Sequence, residues 1–382
     1  MLQGHTDSTA TNYDDAAAVV DSVKEYYGKV LHKTEDLKTT ACTACGAPPL
    51  HVRQALRYVP AVVTEKFYGC GNPIPTGIEG LTVLDLGCGS GRDVFVAAQL
   101  VGPKGHCIGV DMTDEQLATA RDAIPEFARL LRDAGLATQD GIAKIEFRQG
   151  YIEDLIHGSA KIAPNSVDLC ISNCVINLSP AKDKVLAGVF EALRPGGEMY
   201  FSDVYCDRRL SEEARRHEVL FGECVAGALY INDFLSLAKR VGFADPRELS
   251  RSVIEVNFPG ADKILGNAKF YSITYRLFKL PTLEPNCEDY GQVAVYLGTV
   301  PHYPLAYTLD RGHAFEKDRP VLVCGNTAAM LQDTWLKPHF RVFGNRQHHF
   351  GRFDCSKAVV ASAASTSTSS GCGGGSSCGG GC

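Results

Sequence analysis

The chain has 382 residues, a formal net charge of −6 and 21% charged residues, the make-up of a soluble globular protein with room for a large α/β domain and something smaller. No basic stripe interleaved with aromatics is present, which argues against a nucleic-acid partner. No apolar run approaches the roughly 20 residues of a membrane span. The opening, MLQGHTDSTATNYDD, lacks the apolar core of a signal peptide and the Arg-rich pattern of a transit peptide, so a cytoplasmic location is expected.

Near the N-terminus, DDAAAVVDSVKEYYGKVL spaces its apolar residues as a helix does, and PPLHVRQALRYV predicts a second helix entered after two prolines. Together they give an N-terminal helical segment over 1–60 with a loop carrying Cys42 and Cys45. A βα alternation follows. LTVLDLGCGSGRD reads as a strand, a glycine-rich turn and a helix start, and GHCIGVDMTDEQLATARDAI as a second strand and helix. AKIEFRQGYIEDL is a third strand with its exit loop, and SVDLCISNCVINL a fourth strand. VLAGVFEALRPGGEMYFSDVY is a helix, a Pro-Gly-Gly turn and a fifth strand, and SRSVIEVN and KFYSITYRLFKL are two later strands. This order predicts an α/β domain over 61–280, a mostly parallel sheet with helices on both faces. From about Pro281 the pattern changes to Pro- and Tyr-rich stretches with short strands such as VAVYLGTV and RPVLVCG, which predicts a small α+β domain over 281–355. The Gly/Ser/Cys composition of 356–382 predicts a disordered tail.

Fifteen cysteines are many for a cytosolic chain, where thiols serve metal binding or catalysis more often than structural bridges. Cys88, Cys107 and Cys170 lie in or beside apolar strand-like runs and read as small buried hydrophobes. Cys372, Cys378 and Cys382 belong to the tail. Cys42, Cys45, Cys70, Cys174 and Cys224 lie in loop-like or boundary contexts, Cys224 beside Glu223 in a segment of helical pattern. Cys174 falls where the fourth strand opens into a loop, the edge at which open α/β sheets bind ligands.

The turn VLDLGCGSGRD places Gly87, Gly89 and Gly91 where backbone must approach a ligand, ahead of a helix N-terminus with unpaired N–H groups. Asp111 ends the next strand about 20 residues on, where a carboxylate can accept from both ribose hydroxyls. A dinucleotide site would want Gly or Ala at position 92, and Arg92 stands there. A sulfonium cofactor has no pyrophosphate and carries positive charge, which suits the acids around this turn. Together, LDLGCGSG, VDMT and the exit loop GYIEDL resemble the class I S-adenosylmethionine methyltransferases over Leu81 to Val204. That resemblance implies a Rossmann-like, mostly parallel seven-stranded sheet. It implies a cofactor site of Tyr68, Gly69, Asp85, Gly87, Gly89, Gly91, Asp111, Met112, Ile152, Glu153 and Asn173.

The strand-four exit offers Asn173, Cys174 and Asn177 but no evident general base, which O- and N-methyltransferases need. Thiolates converging on an open site select soft, thiophilic ions. DLKTTAC, YGCG, LDLGCGSGRDVFVAAQLVG, GVDMT, SNCVINL, YFSDVY, GECVAGALY and YSITYRLFK resemble the arsenite methyltransferases over Asp36 to Lys279. The resemblance implies that Cys42, Cys70, Cys174 and Cys224 are the functional thiols. Cys70, Cys174 and Cys224 would bind trivalent arsenic, and Cys42 would be the disulfide partner of Cys70 in a redox step. It implies arsenite and methylarsenite as substrates, S-adenosylmethionine as methyl donor, and thioredoxin or glutathione as reductant. Trivalent arsenic on thiolates keeps a lone pair that can take the methyl group, and no proton need be removed. CTAC has redox-motif spacing without a thioredoxin-like context, so Cys45 reads as a solvent-exposed thiol. Glu223 reads either as a solvated acid or as one that draws in arsenite. A monomer is expected. Two rivals remain at this point: a C-methyltransferase for quinones or other small molecules, and a thiol-rich protein that buffers soft ions.

Overall fold

The structure, a computed structural model, describes residues 23–24, 47–65, 69–137, 141–217, 220, 224–256 and 260–354. Cys42, Cys45, Tyr68, Glu223 and the tail cysteines lie outside these. Among the described residues the main sheet has eight strands. β1 (Thr82–Leu86) lies at its centre, with β2 (His106–Asp111) and β3 (Lys144–Gln149) on one side and β4 (Val167–Asn173) and β5 (Leu193–Cys206) on the other, all parallel. β8 (Phe270–Phe278) runs antiparallel to β5, and β7 (Arg247–Ile254) antiparallel to β8. The path is β3-β2-β1-β4-β5-β8-β7, the seven strands expected. The eighth, β6 (Leu229–Tyr230), pairs with the end of β5 and is too short to leave a pattern.

The central strands are apolar runs buried on both faces, as parallel strands between helix layers must be. Helices α1 (Leu50–Leu56), the short α2 (Ala61–Thr64), α3 (Arg92–Val101) and α4 (Asp114–Asp133) belong to one layer. α5 (Lys182–Ala192) and α7 (Ile231–Val241) cover the other face, with the single turn α6 (Glu212–Arg215) between them in sequence. The strand order reverses at β1, which has β2 on one side and β4 on the other. A crevice therefore opens at the C-terminal ends of β1 and β4, the switch point where such sheets bind ligands.

After the short α8 (Ala261–Leu265) and β8, the chain builds smaller sheets. β10 (Gln292–Tyr296) pairs with β13 (Pro320–Val323) and β14 (Phe340–Phe343), β11 (Ala306–Asp310) with β12 (His313–Glu316), and β9 (Glu288–Asp289) with β15 (Gly351–Arg352). With α9 (Gly325–Gln332) these surround an apolar cluster including Tyr296, Phe315, Met330 and Phe340. Fully buried Arg276 of β8 binds Glu198 of β5 at 2.6 and 2.9 Å and donates to the Tyr307 hydroxyl at 3.0 Å and the Leu309 carbonyl at 3.1 Å. Trp335 Nε1 donates to the same Glu198 at 2.9 Å. The C-terminal region is thus docked on the main sheet through a satisfied buried ion pair.

Candidate active site

The glycine turn joins β1 to α3 at the crevice. Gly91 caps α3 at φ +90°, and a Cβ there would stand 2.6 Å from the Phe147 ring. Gly89, at φ +52°, has nothing within 4 Å of where its Cβ would be. One glycine is required by packing within the protein. The other leaves an open cradle for a ligand.

Asp111 holds the turn from the neighbouring strand. The Gly89 N–H donates to its Oδ2 at 2.9 Å and the Thr113 N–H to its Oδ1 at 2.8 Å. Burial raises its carboxyl above the ordinary value against these bonds. Asp85 is pushed up further, by burial and then by the nearby charges of Asp93 and Asp111. The Arg92 guanidinium lies 3.4 Å from Asp93. This concentration of carboxylates with too little compensating positive charge suits a cationic ligand.

A cavity of about 1100 Å³ gathers Asp85, Gly87, Gly89, Asp111, Met112, Ile152, Glu153, Asn173 and Cys174 along its wall. Gly91 lies behind it under Phe147, and Gly69 is not part of the lining. Asn173 also holds the loop bearing Cys70. Its Oδ1 accepts from the Gly71 N–H at 3.1 Å, and its Nδ2 donates to the Gly71 carbonyl at 3.0 Å and to Asp93 Oδ2 at 3.1 Å.

The thiols meet beside this cavity. Cys70 and Cys174, 104 residues apart, form a disulfide with their Cα atoms 5.8 Å apart, well inside the range a disulfide spans. The resemblance gave Cys42 as the partner of Cys70; here the bond is to Cys174. Cys224 is buried against them, and its Sγ donates to the Cys174 carbonyl at 3.0 Å. Cys174 and Cys224 both have positive φ, +57° and +65°, a left-handed conformation that costs a non-glycine residue and collects at functional sites. Within the segment of helical pattern, Leu220 is helical, whereas Cys224–Gly227 is a turn. Gly227 packs so tightly on Asn177 that a Cβ would stand 2.0 Å from its carbonyl oxygen. Cys88, Cys107 and Cys170 are buried as expected.

Sequence reasoning passed over two charged groups. Asp203, on β5, has a carboxylate oxygen within 4.8 Å of the sulfurs of Cys70 and Cys174. It accepts from the Val204 N–H at 2.8 Å and the Asn177 N–H at 3.1 Å, and burial pushes it up to about 7. Lys182 donates to the carbonyls of Asn177 at 3.1 Å and Ser179 at 2.8 Å, and burial lowers it to about 8. An acid inside an apolar strand such as MYFSDVYC is the signal that marks Asp203.

The sheet order, the open glycine cradle and the acid-lined switch point define a class I S-adenosylmethionine methyltransferase, and a methyltransferase-domain family model matches residues 78–242. The relatives are more particular. An arsenite methyltransferase of Aquipseudomonas alcaligenes is 50% identical over 87% of this chain and 93% of its own length. The arsenite methyltransferase of Mus musculus is 39% identical over 85% of this chain and 84% of its own. The crystal structure of an arsenic(III) S-adenosylmethionine methyltransferase from Chlamydomonas reinhardtii superposes with a TM-score of 0.76 at 54% identity, covering 81% of this chain and all of that one. The chain belongs to the arsenite methyltransferases.

Proposed function

We infer that the protein moves methyl groups from S-adenosylmethionine to thiolate-bound trivalent arsenic, converting arsenite to methyl- and dimethylarsenicals, an activity that serves detoxification. The observation that carries this reading is the meeting of Cys70, Cys174 and Cys224, from three distant segments, against the acid-lined cavity. When bound, the cofactor supplies a methyl group on a positively charged sulfur. Gly89 leaves room for it, Asp111 offers remaining lone pairs to ribose hydroxyls, and Asp85 and Glu153 line the same cavity. Once the disulfide is reduced, Cys174 presents sulfur to the substrate from the cavity wall, Cys224 from beside it, and Cys70 adds the third thiolate for arsenite. Holding donor and acceptor in line in a site with little water supplies much of the rate.

Transfer of a methyl group takes two electrons from arsenic. A protein dithiol returns them by becoming a disulfide, and an external thiol, of the thioredoxin or glutathione kind, resets it. The Cys70–Cys174 bond is a disulfide of the kind this cycle leaves behind. Cys42 remains a proposed participant in this cycle. The cytoplasmic location and the monomeric state are parts of the same proposal; no helix of the described residues is long and apolar enough to cross a membrane.

The test is to incubate purified protein with arsenite, S-adenosylmethionine and reduced thiol, then to speciate the arsenic and measure cofactor consumption. Methylated arsenicals matched by cofactor consumed are expected. Bound arsenite with no cofactor consumed would identify a soft-ion buffer instead. A quinone methyltransferase would keep its activity with serine at Cys174 and Cys224.

A further inference from the structure

We propose that Cys287 and Cys324, in the C-terminal region, form a second arsenical site that chelates a trivalent arsenic with two open valences, such as methylarsenite. The proposal rests on the arsenic-methylating reading above only for the supply of that ligand, and adds a site away from the cofactor cavity.

Neither residue lines that cavity, and both are thiols outside the Cys70–Cys174 bond. Cys324 follows β13 and caps α9. Its Sγ accepts from the Thr327 N–H at 3.4 Å and lies 3.3 Å from the Thr327 hydroxyl. Arg247 of β7 reaches it from the main sheet, with Nη2 donating to the same sulfur at 3.9 Å. Cys287, in the loop before β9, donates its thiol to Cys324. That bond first, and then the Arg247 charge, hold the Cys324 thiol well below its ordinary value although it is fully buried. Cys287 is only partly buried, so the pair is reached from its side.

Both sulfurs are held in place. Asn326, in the first turn of α9 and 1% exposed, accepts from the Glu284 N–H at 2.8 Å and donates to the Glu284 carbonyl at 2.8 Å, which ties the loop bearing Cys287 to the helix start. The Phe353 N–H donates to the Cys287 carbonyl at 2.8 Å. A site ordered in advance spares its ligand that cost.

The donor set selects the ligand. Thiolates choose soft ions over hard ones. Among the described residues the only cluster of three His, Cys, Asp or Glu ligand atoms is Cys70, Cys174 and Asp203, so a four-ligand zinc site does not fit the Cys287–Cys324 pair. Linear ions such as copper(I) hold two sulfurs on opposite sides, farther apart than hydrogen-bonded thiols. Pyramidal arsenic holds them on one side, as these are held. Methylarsenite has two valences to fill, and this pair fills both. Two As–O bonds break and two As–S bonds form. One hydroxyl leaves as water with the Cys287 proton, and the other leaves as hydroxide, displaced by the Cys324 thiolate. Arsenic stays trivalent, so the step needs no oxidant or reductant.

The test titrates reduced full-length protein with methylarsenite, without S-adenosylmethionine and in excess glutathione, and counts bound equivalents by native mass spectrometry. Glutathione strips arsenic held by one thiolate, so chelates alone are counted, and every other chelating site is common to wild type and variants. Cys287→Ser and Cys324→Ser should each bind one equivalent fewer than wild type. The double variant should bind no fewer than either single one, because a chelate needs both sulfurs. Serine is itself a preferred N-cap, so Cys324→Ser keeps the helix start. Arsenite methylation at the wild-type rate in a single turnover shows that each variant is folded. Wild-type stoichiometry in either folded variant overturns the proposal, as does a double variant that loses two equivalents where each single one loses one. Failure of the reduced wild type to methylate arsenite would instead overturn the arsenic reading, a readout separate from the count of bound methylarsenite.

Discussion

Asp111 holds the shape of the turn, its carboxylate accepting two backbone N–H groups, and is the proposed ribose contact. Asp111→Ala should weaken S-adenosylmethionine binding by about 1–3 kcal/mol, the cost of an unmet charge-assisted bond, and unchanged affinity by calorimetry would remove it from the site. Asp203 makes a different prediction. Burial pushes it up to about 7, while an unfolded aspartate titrates near ~3.9. Between those values the unfolded chain has lost a proton that the folded protein keeps, so stability falls as pH rises through this window. Asp203→Asn has no such loss. Its stability relative to wild type should improve from pH 4.5 to pH 8 in urea titrations, and a relative stability that stays flat or declines would contradict the assignment.

At the scale of elements, the glycine turn separates folding from binding. Gly91→Ala drives a Cβ into the Phe147 ring at a positive φ and should destabilise the protein by about 1–3 kcal/mol. Gly89→Ala meets no atom, so it should cost less stability yet weaken cofactor binding. Thermal melts and calorimetry on both variants check the pair, and equal loss of affinity in both would erase the distinction. Four of the five parallel strands were legible as buried apolar runs ending in a turn signal, and β3, at the sheet edge, by the alternation of Ile145 and Phe147 with charged residues. β6 was not, since two residues hold no period. Of the helical spacing around Cys224, Leu220 is helical, while at Cys224–Gly227 a left-handed cysteine and a glycine pressed on Asn177 make a turn instead. Cysteines 70, 174 and 224 were legible as a set, but not the pairing of Cys70 with Cys174, which depends on Asn173 holding the Gly71 backbone across 102 residues.

For the whole molecule, the C-terminal region and the main sheet share the buried Arg276–Glu198 pair. Arg276→Ala leaves Glu198 charged and buried and should cost about 3–5 kcal/mol in denaturant unfolding; a loss below about 1 kcal/mol would mean that the pair does not fasten the two parts. Among the described residues the C-terminal region lines, through Tyr303, Tyr307 and Thr308, a cleft that Cys70 also lines, and does not line the cofactor cavity. Cys174 and Cys224 are proposed to hold arsenic for transfer, with Cys70 as third ligand. Arsenite can take three thiolates, whereas methylarsenite, with one valence filled by carbon, can take two. The most direct measurement is methyl transfer to each arsenical by single serine variants under one thiol reductant. Cys174→Ser and Cys224→Ser should lose both activities, while Cys70→Ser and Cys42→Ser lose the arsenite step and keep part of the methylarsenite step. Methylation of methylarsenite by Cys174→Ser, or equal loss of both activities in all four folded variants, would contradict the account.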